Sequence, residues 1–129
     1  MAEQSIHKTT RPKTILVVEE EEGIRSLLQL ALTNGGFQVL LSGNGQDALK
    51  LYQSQSQNID LMLSGHNHGG QVRFPLVGSV LVPSRYGRRY DCGTFDEPPT
   101  VLHVCRGLAG QHPLRYNCRP EVTKLVLTR

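Results

Sequence analysis

Near the middle of the chain, Gly65-His66-Asn67-His68-Gly69-Gly70 sets two imidazoles two residues apart between glycines. In an extended segment residues i and i+2 point to the same side. The two rings can therefore converge on one small volume, with Gly65, Gly69 and Gly70 letting the backbone bend closely around it. Nitrogen donors gathered in this way could hold a divalent metal, and the same spacing also suits two unliganded loop histidines. A second cluster, Glu19-Glu20-Glu21-Glu22, follows the apolar run Thr14–Val18. These acids can hold a cation or simply open a helix, whose N-terminus favours negative charge. A third, Arg85-Tyr86-Gly87-Arg88-Arg89-Tyr90, supplies guanidinium forks that suit phosphate. It is short and no nucleic-acid-binding module surrounds it, so Arg85, Arg88 and Arg89 are expected to contact phosphate or stand solvated rather than bind nucleic acid.

Composition narrows the classes. Through Ser64 there are five Lys or Arg against seven Asp or Glu, and from Gly65 onward nine against four, so the halves carry −2 and +5. Eight of the nine later cations are Arg. That asymmetry favours an anionic ligand for the second half, although a solvated basic face is the commoner cause. The three cysteines, Cys92, Cys105 and Cys118, are odd in number and form no Cys-x-x-Cys pair, so three reduced thiols are expected rather than a disulfide framework or zinc knuckle. Residues 1–12 are polar and are expected to form a flexible tail. No apolar run reaches the roughly 18 residues of a membrane span, and a cytoplasmic location without membrane contact is expected. The 129 residues fit one domain, large enough to bury roughly two-thirds of its unfolded surface.

The elements that must position these groups alternate in the first half. Thr14–Val18 reads as a parallel strand covered on both faces. Ile24, Leu27, Leu28, Ala31 and Leu32 recur at helical spacing, and Asn34-Gly35-Gly36 supplies a stop. Phe37 to Leu41 reads as a second strand, Gln46 to about Gln57 as a helix with Ala48, Leu49 and Tyr52 inward, and Ile59 to Leu63 as a third strand. Such alternation implies right-handed crossovers and a parallel sheet. Past the seam six of the seven prolines appear and helical periodicity disappears. Short β-rich runs at Gln71–Phe74, Val77–Val82, Val101–Cys105 and Val122–Leu127 read as antiparallel or mixed strands joined by long loops. His103 lies on an apolar run and is expected to be a packed or edge histidine.

Lys13-Thr-Ile-Leu-Val-Val-Glu19-Glu20-Glu-Glu-Gly-Ile-Arg25, with Asn44-Gly45-Gln-Asp-Ala48-Leu49 and Ile59-Asp60-Leu61, resembles the receiver domain of bacterial response regulators over about residues 13–64. The resemblance implies an acidic pair for Mg²⁺ at Glu19 and Glu20. The phosphoacceptor aspartate of that family would fall at Gly65, which cannot take a phosphoryl group, so ordinary phosphorelay is not expected. From about residue 60 onward, Leu63-Ser-Gly-His66-Asn-His68-Gly-Gly-Gln-Val72, Pro83-Ser-Arg-Tyr-Gly-Arg-Arg-Tyr90, Arg106-Gly-Leu108 and Pro113-Leu-Arg-Tyr-Asn-Cys-Arg-Pro-Glu121 resemble the C-terminal part of calcineurin-like metallophosphoesterases. That resemblance implies that His66 and His68 each bind a metal of a dinuclear centre. The remaining ligands of the family belong to an N-terminal half with no counterpart in this sequence, and even one catalytic zinc normally has three protein ligands.

The expected fold is therefore α/β: a βαβαβ parallel half over 13–64 continuing into a β-rich half over 65–129 as one composite domain. In such a sheet Glu19-Glu20 and Gly65-His66-Asn67-His68 emerge at the same carboxyl edge, where these folds place ligands. A hybrid site is expected, with His66, His68 and Glu20, and Glu19 beside them, holding one divalent metal; nitrogen and oxygen donors favour Mn, Fe or Zn over Mg. The leading function is a metal-binding phosphoesterase-like protein that takes a phosphate ester and hydrolyses it weakly or not at all. The rival is a non-enzymatic receiver-like module that meets a signalling partner through its first helix. A recombined or truncated product without a selected role is the third reading, and exposed sheet edges would allow self-association.

Overall fold

Strand β1 (Thr14–Val18) forms because five uncharged, mostly β-branched residues can be covered on both sides, and Thr14, Ile15, Leu16 and Val17 are all buried. It sits in the middle of the molecule as a computed structural model shows it, with residues 11–65, 68–80, 89–108 and 114–127 described. Helix α1 (Glu22–Asn34) leads to β2 (Gln38–Ser42), and α2 (Gly45–Gln55) continues through a 3₁₀ turn (Ser56–Asn58) to β3 (Leu61–Ser64). Both β2 and β3 pair with β1 in parallel, so the expected βαβαβ unit is present. Right-handed crossovers to opposite neighbours of one strand put α1 and α2 on opposite faces of the sheet.

The two halves share this sheet. After a small antiparallel pair, β4 (Arg73–Phe74) and β5 (Gly78–Ser79), the chain makes β6 (Gly93–Glu97) and β7 (Thr100–Val104). Strand β7 lies parallel to β3 and β6 runs antiparallel outside it, giving the order β2-β1-β3-β7-β6. The second half thus supplies the fourth and fifth strands of a sheet that the first half begins. The result is a mixed α/β fold with a mostly parallel sheet.

One face holds Ile15, Val17 and Leu61, packed by Leu28 and Leu32 of α1 and by Phe37, Val39, Leu41, Leu63, Val101 and Leu127. Leu127 is the sole residue of the expected last strand that joins this cluster; 122–127 makes no strand, and Val122 and Val126 are exposed. Helix α1 departs from expectation in the same way. Ile24 and Leu27 lie outward with Leu30, and Ala31 is exposed, so Leu28 and Leu32 alone carry its packing. Its stop is set by Gly36 at φ 87°, a left-handed conformation open to glycine, while Gly35 keeps a right-handed one. Helix α2 starts at Asn44, whose side chain accepts from the Asp47 amide, and it buries Ala48, whereas Leu49 is exposed.

At the amino end of the sheet Asp60 joins the halves of the parallel unit. Its carboxylate accepts from Arg11 at 2.8 Å, Lys13 at 3.2 Å and the Thr14 amide at 2.8 Å. Arg11 is thereby held onto the sheet, and residues 1–10 of the expected tail lie outside those described. Among the described residues no helix is long and apolar enough to cross a membrane. His103 is packed, as read: Nδ1 meets the Thr94 hydroxyl at 2.9 Å, while Nε2 is buried without a hydrogen-bond partner among the described residues.

Candidate metal and phosphate site at the carboxyl edge

Three neighbouring strands end in register. Val18 pairs with Ser64 and Ser64 with Val104, so Glu19, Gly65 and Cys105 leave β1, β3 and β7 side by side. The Glu19 amide still donates to the Ser42 carbonyl and the Cys105 amide to the Ser64 carbonyl, each at 3.0 Å, which carries the sheet one residue further at this edge. The expected convergence of the acidic pair and the start of the glycine-histidine turn is therefore realised by the backbone.

The acids have local partners of their own. Glu19 is half-buried, and its Oε1 accepts from the Glu21 amide at 3.0 Å, a bond that shapes the entry into α1. Glu20 is exposed. Arg25, one turn into α1, donates from Nη1 to the carbonyls of Glu19 at 2.7 Å and Glu20 at 3.2 Å. The same nitrogen lies 3.2 Å from where a Cβ on Gly43 would stand, so the guanidinium bridges the ends of β1 and β2. Sequence reasoning missed this cation; a lone arginine inside a helical stripe carries no motif.

His68 is placed differently from expectation. It opens a 3₁₀ turn, His68–Gly70, with φ 47°, so the extended geometry that would aim residues 66 and 68 to one side does not extend through it. Its carbonyl accepts from the Gln71 amide at 3.2 Å and from the Cys118 thiol at 3.3 Å. The following residues are fastened as well: the Arg73 amide donates to Tyr116 and the Tyr116 amide to Gln71, both at 2.9 Å. His66 and Asn67 lie outside the described residues. Among the described residues no three of His, Cys, Asp and Glu gather closely enough to hold a metal. Glu19, Glu20 and His68 thus do not form a complete ligand set by themselves, and a set at this edge depends on His66.

Behind the turn stands a polar cluster that sequence reasoning did not find. Arg73 Nη1 donates to Asp91 Oδ2 at 2.6 Å, and the fully buried Ser79 hydroxyl donates to the same oxygen at 2.7 Å. Burial pushes the Asp91 carboxyl upward, but Ser79 and Arg73 outweigh it and hold it below the usual carboxylate range. Arg106 Nε donates to Cys92 Sγ at 3.3 Å and lies 3.4 Å from Glu121 Oε2. The Cys92 sulfur and, against desolvation, the Glu121 charge raise the Arg106 pKa further. Of the three arginines expected at phosphate, Arg89 is exposed, stacks over Tyr90 at 5.0 Å and lies 3.8 Å from Glu97; Arg85 and Arg88 lie outside the described residues.

The relatives of the chain are of two kinds. It is 47% identical to phosphodiesterase YaeI of Escherichia coli over 68 residues, covering 53% of this chain and 25% of that protein. It is 37% identical over 92 residues to the uncharacterized metallophosphoesterase YkuE of Bacillus subtilis, covering 70% of this chain and 31% of that protein. It is also 36% identical over 55 residues to the transcriptional regulatory protein AfsQ1 of Streptomyces coelicolor, covering 40% of this chain and 24% of that one. The chain therefore spans about a quarter to a third of the length of these three relatives. No family model and no solved structure matches it. The chain carries two resemblances at once, to metallophosphoesterases and to receiver-bearing regulators.

Proposed function

We propose that this chain is a metallophosphoesterase-like, metal-binding protein that recognises a phosphate ester and hydrolyses it weakly or not at all by itself. One divalent ion would be held by His66 and His68 of the glycine-bounded turn with Glu20, and Glu19 beside it. The observation that carries this reading is the register Val18 to Ser64, which brings the acidic pair and Gly65 to one edge of the sheet. The likeness to a phosphodiesterase and a metallophosphoesterase supports the ion and the ester. Mixed nitrogen and oxygen donors favour Mn, Fe or Zn over Mg. When bound, the ion would neutralise charge on the ester; Arg85, Arg88 and Arg89 would add guanidinium contacts. Two imidazoles and two carboxylates fall short of a dinuclear centre, so no hydrolytic step is assigned to them.

A second reading, a receiver-like interaction module, is favoured by one observation. Ile24, Leu27 and Leu30 stand on α1 at 43%, 66% and 60% exposure while Leu28 and Leu32 face the core, leaving a second apolar strip for a partner. Gly65 stands where such a module would need its phosphoacceptor. Incubation with a chromogenic phosphodiester and Mn²⁺ separates the two. Under the first reading, any turnover disappears in His68→Ala, and the ester competes with inorganic phosphate for the metal-loaded chain. Under the second, neither ester nor phosphate binds, and an α1 variant such as Leu27→Glu loses a signalling partner. Treatment with a small phosphodonor adds no phosphoryl group in either case.

A further inference from the structure

The short hairpin of β4 and β5 is anchored at its base and bare at its turn. Arg73 and Ser79 face each other across it, and both side chains donate to Asp91 Oδ2, so the base is held by that carboxylate. The residue after each, Phe74 and Val80, is exposed. Between them the Val77 amide donates to the Phe74 carbonyl at 3.3 Å, closing a tight turn over Pro75 and Leu76. Val77 is exposed and Leu76 fully so. Leu76 also has φ 66°, a left-handed conformation that glycine adopts freely and leucine rarely. A large apolar side chain thus stands in solvent at the turn, on a backbone that would suit glycine.

A second segment widens this surface. The Tyr116 ring lies 5.7 Å from that of Phe74, centroid to centroid, and Pro75 shares an open cleft with Tyr116, Asn117 and Arg119. Leu114 adjoins it, since the Gln71 side chain donates to its carbonyl at 3.2 Å. Leu114, Tyr116 and Arg119 are all exposed. The sequence around these residues is basic without acid: 65–90 holds four arginines and 106–120 three, and neither stretch contains an Asp or Glu. The acids that follow each stretch, Asp91 and Glu121, meet Arg73 and Arg106.

Aliphatic side chains standing out of a basic, acid-free surface complement a bilayer with anionic headgroups. Such a surface binds by burying apolar area at the boundary of headgroups and acyl chains while its cations meet the lipid phosphates. Tyrosine, with an apolar ring and a polar tip, collects at the same level. Nucleic acid would also use the cations and the rings, by phosphate contact and base stacking, but it offers nothing to a solvent-facing leucine and valine. We propose that the hairpin of β4 and β5 docks on an anionic lipid surface, with Leu76 and Val77 entering the acyl boundary and Arg119 contacting headgroup phosphate. Docking of this kind requires no spanning segment, and it departs from the expected absence of membrane contact, which rests on the lack of such a segment alone.

The test is flotation of the full-length chain with vesicles of phosphatidylcholine alone and of phosphatidylcholine mixed with phosphatidylglycerol. Wild type should rise with the mixed vesicles and stay behind with the neutral ones, and added salt should weaken the binding. Leu76→Gly suits the left-handed backbone and so keeps the fold; it should weaken binding about tenfold or more through the lost apolar area. Arg119→Gln should weaken it about fivefold, the share of one cation near an anionic surface. The chain has no tryptophan, so the indole of Leu76→Trp reports alone, and its emission should shift to the blue on mixed vesicles. No flotation of wild type, equal flotation with neutral vesicles, equal binding by Leu76→Gly, or capture by heparin without vesicle binding would each overturn the proposal.

Discussion

Val18 and Ser64 are partners in the parallel ladder between β1 and β3, and this one relationship brings the acidic run and the glycine-histidine turn to the same rim. Every side chain proposed to hold the ion comes from a segment that leaves this rim. What brings these side chains to one edge is the sheet that both halves share. The turn is fastened from the second half as well, where the Cys118 thiol donates to the His68 carbonyl.

The start of α2 is a local test of the first half. Asn44 Oδ1 accepts from the Asp47 amide at 2.9 Å while its Nδ2 donates to the Asp47 carboxylate at 2.8 Å. Replacing a capping side chain of this kind by alanine costs about 1 kcal/mol. Asn44→Ala should lower stability by that amount in urea unfolding, and Asn44→Ser, which keeps an oxygen acceptor for the Asp47 amide, should keep most of it. An unchanged midpoint for Asn44→Ala would mean that α2 is held by its packing alone.

The cluster behind the turn should be far more sensitive. Asp91 is buried between Arg73 and Ser79, and removing one member of such a group leaves the other charge without its partner. Asp91→Ala should cost about 3 kcal/mol. Arg73→Met with Asp91→Leu, which removes both charges, should be milder than either change alone. Denaturant midpoints for the two single variants and the double variant provide the cycle that checks this.

Acid should weaken the fold through two carboxylates. For Asp60, burial works upward, but the Thr14 amide, Arg11 and Lys13 prevail and hold the group below its usual range; Asp91 is lowered likewise by Ser79 and Arg73. A carboxylate whose folded pKa lies below its unfolded value, about 3.9 for Asp, contributes stability that is complete above that value. It is lost as pH falls through the depressed folded pKa. Unfolding free energy should thus be nearly flat in these two groups above about pH 5 and fall steeply below about pH 4. Asp60→Asn should flatten that acid limb, and an unaltered limb would rule out the Asp60 contribution.

Much of the first half was legible because its elements are local. Thr14–Val18 and the helical spacing after Glu22 required no knowledge of distant partners, and β1 has the bounds expected of it. The second half depends on which edge is open. Gly93–Glu97 alternates exposed Thr94 and Asp96 with half-buried neighbours and ends at Pro98-Pro99, a pattern too polar to announce a strand, yet β7 offers it an edge. Val122–Leu127 has the stronger β composition and makes no strand. At the site, the shared edge followed from the order of strands, whereas the 3₁₀ turn at His68 did not. The His68 carbonyl there accepts from the thiol of Cys118, fifty positions away in sequence.

The central claim is tested most directly by the metal content of purified full-length chain, by elemental analysis after dialysis against Zn²⁺ or Mn²⁺ and then against metal-free buffer. The account predicts about one ion per chain for wild type. His66→Ala and His68→Ala should retain almost none, and Glu20→Gln should retain less than wild type. Equal metal in wild type and His66→Ala, with both variants folded by circular dichroism, would contradict it.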